Sequence, residues 1–288
     1  MVKPLVALLL LSCALPVRAQ NTPRTCLWQV HKPGTRLTSY LFGTFHEADG
    51  SFFASLPAST KHLAHADVLF VERRSEDMTQ DEVALAAASS WNTRRWQARL
   101  TGPQQATFTR FVTKAEDASF YQYSPLALRV GLFRLYEQQF CDTLARTSTE
   151  LLDQYIERVA LTQKTPVQSL DTRADRRQAF SQAADSLAEV AHITYCVDLM
   201  QAMLANDHSK CGSTQQYKAF ELDYELEQSG ENVLGLLDRN ATWLVRLDHA
   251  FQRQNCFVAV GLRHLMYKQG LIQQLRQRGY TVTPVSAR

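Results

Sequence analysis

The stretch FVAVGLRH, residues 257–264, begins with a short apolar run. The run ends at Gly261, and His264 lies three residues after that glycine. Short continuous apolar runs are typical of buried strands in α/β proteins. The stretch YLFGTFH, residues 40–46, repeats this arrangement and ends at His46, and DVLFVE, residues 67–72, ends at Glu72. Groups just beyond the carboxyl ends of strands converge on one crevice of an α/β sheet, so we expect these two histidines and the glutamate to lie together.

The two ends of the chain are predicted to form strands, whereas its middle is helical. Strands are expected at 67–72 and also at 27–30, 37–45, 166–170, 256–260 and 281–285. Nearly all of residues 79–252 has the apolar period of helices and is predicted to be a large helical insertion. The expected fold class is therefore α/β (α+β), with a mixed sheet built from the N- and C-terminal segments and a helical layer.

Local sequence signals predict where several helices begin and end. A Ser-Pro pair opens a helix expected over residues 124–139. Thr147 and Glu150 have the spacing of a capping box and are expected to begin the next helix. Near the C-terminus a helix is predicted over residues 265–278, with Gly279 as its C-terminal cap.

The first residues of the chain have the pattern of a secretory signal peptide. Residues 1–19 contain a cation at Lys3, an apolar run at 5–11 and small residues before a cleavage point after Ala19. The run is shorter than the roughly 20 residues that span a bilayer, and an uncleaved anchoring helix is the less favoured alternative. Lipidation at Cys13 is a second alternative. The prediction is a periplasmic or secreted protein whose single domain covers residues 20–288.

Five cysteines remain after removal of the leader, so an oxidising compartment permits one or two disulfides and leaves at least one free thiol. Proximity in sequence alone favours a bridge between Cys196 and Cys211. No pair of cysteines or histidines has the spacing of a zinc finger.

Composition and charge exclude several classes of function. The leader carries two basic residues, Lys3 and Arg18, and no acidic one, so the formal net charge falls from +3 to +1 in the mature chain. A field this weak does not hold a nucleic acid backbone or an anionic bilayer, so neither is an expected partner. No second run is long and apolar enough to span a membrane, and no serine-hydrolase elbow, P-loop or Rossmann fingerprint is present. The oligomeric state is not predicted.

The residues at the predicted strand ends suggest metal chemistry. Two imidazoles and a carboxylate match a catalytic site with three protein ligands and an open position for water. Each histidine follows a glycine by three residues, Gly43 before His46 and Gly261 before His264, and a glycine there permits close approach. Considered alone, each residue has a simpler interpretation. A histidine at a strand end is usually a hydrogen-bonded residue at the rim of the sheet, and Glu72 beside two arginines would be part of a solvated charge cluster. Their coincidence favours the metal site.

The chain resembles the TraB/GumN family, which is related to the Tiki-type metalloproteases. The resemblance is most specific in the two glycine–histidine motifs and Glu72. It continues through residues 27–30, 270–271, 275 and 278–285, and more weakly through 152–153, 165–172, 239–240 and Trp243. It implies a metal-dependent peptidase-like site with His46, Glu72 and His264, on a fold like that of erythromycin esterases and haem-binding ChaN-like proteins. The family usually has glutamate where this chain has Asp171.

The resulting expectation is a metal-dependent hydrolase that acts on a peptide or protein substrate through a divalent ion such as manganese, cobalt or zinc. Glu72 is either the third ligand or the general base, and spacing leaves both roles open; Glu47, expected to project to the opposite side, is the reserve candidate. Asp171 is expected to lie beside the ligand residues without binding the metal itself. Arg239 or Arg263 is expected to hold an oxyanion or a substrate carboxylate. The alternatives are a protein that binds haem, iron or another ligand, and a non-catalytic interaction protein.

Overall fold

The computed structural model describes residues 23–77, 91–142, 150–172, 186–232 and 235–288. The predicted leader at 1–19, Cys13 and the capping residue Thr147 lie outside these ranges, as do parts of the helical insertion. Among the described residues, no helix has the length and apolar character needed to cross a bilayer.

Six strands form one mixed sheet, as the sequence predicts. They are β1 (Leu27–His31), β2 (Thr38–Thr44), β3 (Val68–Val71), β4 (Val167–Ser169), β5 (Cys256–Gly261) and β6 (Thr281–Val285). Their order is β4-β3-β5-β2-β1-β6. The four strands β4, β3, β5 and β2 are parallel, and β1 runs against its neighbours β2 and β6. The carboxyl ends of the four parallel strands therefore meet at one edge of the sheet.

A turn at residues 32–35 joins β1 and β2 in a hairpin. The backbone amide of Thr35 donates to the carbonyl of Lys32 at 3.1 Å. Gly34 has φ +88, which a glycine adopts without the steric cost that a β-carbon would bring. This tight connection fixes the register in which Trp28 pairs with Leu41.

Ten helices accompany the sheet in the described part of the chain. They are α1 (Ser51–Ala54), α2 (Pro57–Ala64), α3 (Thr93–Gln97), α4 (Gly102–Ala115), α5 (Pro125–Tyr136), α6 (Leu152–Thr162), α7 (Ser186–Ala205), α8 (Ser213–Lys218), α9 (Leu236–Phe251) and α10 (Leu271–Gln277). Two hydrophobic cores result. The first surrounds the sheet and includes the inner faces of α6 and α9, and the second joins α3, α4, α5 and α7. The helical layer thus has a core of its own.

Helix α10 begins six residues later than the sequence predicts. The segment between His264 and Gly270 does not form the expected helix, because its backbone groups bond elsewhere. The amides of Tyr267 and Lys268 donate to the carbonyls of the 224–228 loop, each at 2.9 Å. Gly270 directly precedes the helix, and Gly279 follows it with φ +81, as the predicted C-terminal cap requires.

The helix that opens at Ser124 is shorter than predicted, since α5 ends at Tyr136 and a π turn, Glu137–Cys141, follows it. Ser124 accepts a hydrogen bond from the amide of Ala127, which confirms its role as N-cap. The next helix, α6, has Leu151 as its N-cap, so Glu150 precedes the cap and does not take the expected position inside the first turn.

The disulfide predicted from proximity is wrong. Cys141 and Cys211 form the bridge, across 70 residues, and Cys196 is a free buried cysteine. Cys196 lies on the inward face of α7, where its thiol donates to the carbonyl of Pro125 at 3.5 Å. The partner of Cys211 is distant in sequence because the π turn after α5 brings Cys141 beside the loop that follows α7.

Candidate functional site

The carboxyl ends of the parallel strands bring His46, Glu72 and His264 together. His46 follows β2 by two residues, Glu72 follows β3 directly, and His264 follows β5 by three residues in a short 3-10 turn, Leu262–His264. The Nε2 atoms of both histidines lie 3.5 Å from the same oxygen, Oε1 of Glu72. The predicted convergence at the sheet edge is therefore present, and the two imidazoles face one carboxylate.

The His46 ring is oriented by a helix on one side of the sheet. Its Nδ1 lies 2.7 Å from Oδ2 of Asp153, in the first turn of α6. The other oxygen of Asp153 accepts a hydrogen bond from the hydroxyl of Thr44, also at 2.7 Å. A carboxylate only accepts, so Nδ1 of His46 carries the hydrogen and Nε2 faces Glu72. The His46 side chain is 43% exposed, so the site is open to solvent at this ring.

The His264 ring is oriented in the same manner from helix α9. Its Nδ1 donates to Oδ1 of Asn240 at 2.7 Å. The amide orientation is fixed because Nδ2 of Asn240 donates to the carbonyls of His264 and Gln269, each at 3.1 Å. The Trp243 ring packs on the imidazole with centroids 4.3 Å apart. His264 is buried, and its Nε2 is left without a hydrogen.

Arg239 links the carboxylates of the site. Its Nη2 donates to Oε2 of Glu72 at 2.6 Å and to Oδ2 of Asp171 at 2.7 Å, and its Nε donates to Oδ1 of Asp171 at 3.0 Å. Oδ1 of Asp171 also accepts from the indole of Trp243 at 2.9 Å. The remaining nitrogen of Arg239, Nη1, lies 3.3 Å from Nε2 of His264. Asp171 thus holds the guanidinium fork against Glu72.

The two glycines of the glycine–histidine motifs make room for different neighbours. A β-carbon on Gly261 would lie 2.7 Å from Nε2 of His46 and 3.0 Å from Oε1 of Glu72. The amide of Gly261 also donates to that oxygen of Glu72 at 2.7 Å. A β-carbon on Gly43 would instead meet the side chain of Leu262 at 2.7 Å. Gly261 therefore opens the site itself, and Gly43 opens the packing beneath it.

Burial and the neighbouring charges shift the pKa values of His46, Glu72 and His264 in different directions. Burial and the nearby Arg239 lower the pKa of His264 to about 3, although Glu72 acts in the other direction, so this ring is neutral at pH 7. Loss of hydration acts to lower the pKa of His46, but the carboxylates of Asp153 and Glu72 outweigh it and raise that pKa well above its usual range. Burial acts to raise the pKa of Glu72, yet His264, Arg239 and His46 hold it well below its usual range.

Of the other residues predicted for the site, some lie in the cluster and some do not. Arg239 lies within the cluster, whereas Arg263 is exposed on the turn before His264. Glu47 is buried, its carboxylate lies 3.9 Å from Nε of Arg134, and its charge contributes to the raised pKa of His46. Sequence reasoning missed the side chains that orient the imidazoles, Asp153 and Asn240. Both belong to segments that carry the family resemblance, but no local pattern marks a carboxylate or an amide on a distant helix as a partner of a histidine.

The donor set available to a metal ion is Nε2 of His46, Nε2 of His264 and Oε1 of Glu72. Among the described residues, no three histidine, cysteine, aspartate or glutamate side chains already have metal-ligating geometry. One obstacle is visible, since Nη1 of Arg239 occupies the lone pair of His264 at 3.3 Å. The oriented Nδ1–H groups nevertheless match the arrangement that fixes metal-binding histidines in proteins, where a carboxylate or carbonyl accepts from the second ring nitrogen.

Comparison with known proteins gives a family match. The family model described as the TraB/PrgY/gumN family matches residues 26–284, nearly the whole chain. Neither the curated proteins nor the solved structures give a significant match. The matched range contains every residue of the cluster at the sheet edge, and the chain belongs to the TraB/PrgY/gumN family.

Proposed function

We propose that the protein is an exported metal-dependent hydrolase whose substrate is a peptide or protein. The observation that carries the proposal is the pair of imidazoles, each anchored through Nδ1 and each presenting Nε2 to Glu72 at the same sheet edge. The anchors hold the Nδ1–H of each ring on an acceptor and leave Nε2 for a metal ion, which at His46 would displace the proton that the raised pKa retains. His46, His264 and Glu72 are the proposed ligands of a divalent ion such as manganese, cobalt or zinc.

The charges around the site favour a divalent cation. The site holds the carboxylates of Glu72, Asp153 and Asp171 and the guanidinium of Arg239, which leaves an excess of two negative charges when His46 is neutral. Uncompensated charge in a partly buried site is costly, and a doubly charged ion removes this excess. The raised pKa of His46 has the same origin, because the excess negative charge attracts a proton as well.

Held by His46, His264 and Glu72, a divalent ion would supply Lewis acidity, which lowers the pKa of a water and polarises a carbonyl. The residues of the chain divide the remaining tasks. Glu72 suits a ligand better than a general base, because its lowered pKa makes it a weak proton acceptor and both of its oxygens are already engaged. Nη1 of Arg239 has the longest contact of the guanidinium, so it is the donor available to a developing oxyanion or a substrate carboxylate.

The disulfide supports the export of the chain. Cys141 and Cys211 are bridged, and structural disulfides persist in oxidising compartments and are rare in the cytosol. Together with the leader pattern at 1–19, this supports a periplasmic or secreted location.

The experiment that tests the proposal is elemental analysis of the purified mature chain. The wild type is compared with His46→Ala, His264→Ala and a control, His65→Ala, whose ring lies on the exposed end of α2 with Nδ1 on the carbonyl of Lys61. We expect nearly one divalent ion per chain in the wild type and the control, and little in the other two variants. A metal-dependent cleavage of a peptide library should follow the same order.

Two results would overturn the proposal. The first is a wild-type chain that holds no ion even after reconstitution with manganese, cobalt and zinc. The second is a strong Soret band on titration with haemin, which would favour the haem-binding alternative. The geometry argues against that second result, because one carboxylate oxygen contacts both imidazoles and leaves no slot for a porphyrin between them.

A further inference from the structure

A groove of about 710 Å³ runs between β4 and the C-terminal half of α9. Its walls do not include the two histidines or Glu72, so it is distinct from the cluster described above. The residues that line it come from the edge of the sheet and from one side of the helix: Phe70, Gln168, Ser169, Val245, Arg246, His249, Ala250, Arg253 and Gln254. Val245 on its rim is 64% exposed.

The strand that forms one wall of the groove has a free outer edge in the described part of the chain. β4 ends the sheet, with β3 as its neighbour. The carbonyl of Pro166 accepts from Leu69 and the amide of Leu170 donates to Val71, so residues 166, 168 and 170 turn their main-chain groups toward β3. Residues alternate along a strand, and the N–H and C=O groups of Val167 and Ser169 therefore point outward. An open edge of this kind is a template for a further strand.

The other wall of the groove is cationic. Arg246 and Arg253 line it, and none of the described residues in the lining is acidic. The carboxylate of Asp77 accepts a hydrogen bond from the hydroxyl of Ser169, which belongs to the lining, at 3.3 Å. No ion pair between described residues involves Arg246 or Arg253, whereas many other arginines of the chain are paired with a carboxylate. Unpaired cations beside an open strand edge are complementary to an acidic peptide, which supplies both main-chain groups and carboxylates.

The groove begins beside the proposed catalytic cluster. Arg246 donates to the carbonyl of Leu170, the residue before Asp171. Asp171 in turn holds Arg239, which contacts Glu72. Arg239 and Arg246 are seven residues apart on one helix, a rise of roughly 10 Å. An extended chain of three or four residues bridges that distance.

We propose that the groove binds an extended acidic segment of the substrate, which adds to β4 as an outer strand and leads the adjoining bond to the histidine–glutamate cluster. The main chain of the segment bonds to Val167 and Ser169, and its carboxylates bind Arg246, His249 and Arg253. This inference rests on the proposed hydrolase function for its catalytic part, but the binding it describes is measurable without cleavage.

The test uses two fluorescein-labelled decapeptides, one of alternating glutamate and valine and one with lysine in place of glutamate. Binding is measured by anisotropy directly after mixing, and cleavage is measured by mass spectrometry of the same samples after incubation. Val167→Pro removes one outward N–H and no bond to β3, and proline is tolerated at such an edge position. Arg253→Glu reverses a charge of the groove. The control Arg36→Glu makes the same charge change on the exposed β1–β2 turn.

We expect the acidic peptide to bind and the lysine peptide to bind at least tenfold more weakly. Arg253→Glu should weaken binding of the acidic peptide by roughly three- to tenfold, and Val167→Pro by about fivefold, at unchanged thermal midpoints. Arg36→Glu should bind as the wild type does. Binding with this pattern in the absence of cleavage would support the groove and contradict the hydrolase.

Three outcomes would overturn the groove proposal. One is cleavage of the peptides that is equal in the wild type, Val167→Pro and Arg253→Glu, which would leave the hydrolase standing. Another is equal binding of both peptides, or none. The third is an effect of Arg253→Glu without one of Val167→Pro, together with full competition by dextran sulfate, because that pattern identifies a general anion patch and excludes an added strand.

Discussion

The substitution Gly261→Ala is expected to disable the site at a small cost to the fold. The φ of Gly261 is −51, which any residue adopts, so only the space around it forbids a side chain. A methyl group there would lie 2.7 Å from Nε2 of His46, about 0.7 Å inside ordinary contact. Glu72 cannot retreat without losing its bond from the Gly261 amide, so the half-exposed ring of His46 must move. We expect destabilisation of about 1 kcal/mol, since an exposed ring moves easily.

The effect on ligand geometry should be larger, because functional groups tolerate displacements of only about 0.5 Å. Metal affinity by calorimetric titration, and the hydrolysis that depends on it, should fall by on the order of 100-fold. The matched variant is Gly43→Ala, whose methyl group meets Leu262 and Leu265 and no donor atom of the site. It should lose about 1–3 kcal/mol in urea unfolding yet retain most of its affinity. The reasoning would be refuted if Gly261→Ala bound the metal ion as tightly as the wild type while Gly43→Ala lost its metal affinity.

Four further outcomes are expected. Asn240→Leu, of similar volume, should lower the free energy of unfolding in urea by about 3 kcal/mol, because a buried imidazole N–H and two carbonyls lose their partner. Serine at both Cys141 and Cys211 should cost about 4 kcal/mol, as estimated for a closed loop of 70 residues, and reducing agent should affect only the parent. Arg239→Lys should lower kcat/KM at least tenfold while the thermal midpoint changes little. The lysine keeps the charge, but its ammonium cannot donate to Glu72 and Asp171 with the geometry of a planar guanidinium. Burial raises the pKa of three thiols to about 12, so the native mature chain should not react with Ellman's reagent at pH 8, and denaturation should release all three: Cys26, Cys196 and Cys256.

The sheet and the location of its polar edge were accessible from sequence because both depend on short, local patterns. Apolar runs such as residues 68–71 and 256–261 are fully buried strands, and residue alternation is not needed to identify them. The position of a polar side chain directly after such a run is also a local fact. Parallel pairing then follows from connections long enough to contain helices, and it places every strand end at the same edge.

The predictions that proved wrong concern segments in which long-range contacts override local preference. The segment after His264 has the apolar period of a helix, but two of its amides donate to carbonyls of the 224–228 loop. That loop is about 40 residues away in sequence, so no local pattern predicts the contact. The disulfide follows the same rule, since Cys211 is nearer in sequence to Cys196 than to Cys141 but is brought beside the latter by the end of α5. Helix propensity and sequence distance are weak guides when a tertiary contact supplies more hydrogen bonds or a better geometry.

The two glycine–histidine motifs look equivalent in sequence, yet the structure gives their glycines unequal tasks. The space above Gly261 is occupied by His46, the histidine of the other motif, and by Glu72. The spacing of three residues within each motif is therefore not what assembles the site. Adjacent parallel strands β2 and β5 assemble it, because their register pairs Thr44 with Gly261 and so sets His46 over the glycine that leaves room for it. A change that shifted this register by one residue would separate the histidines while leaving both motifs intact.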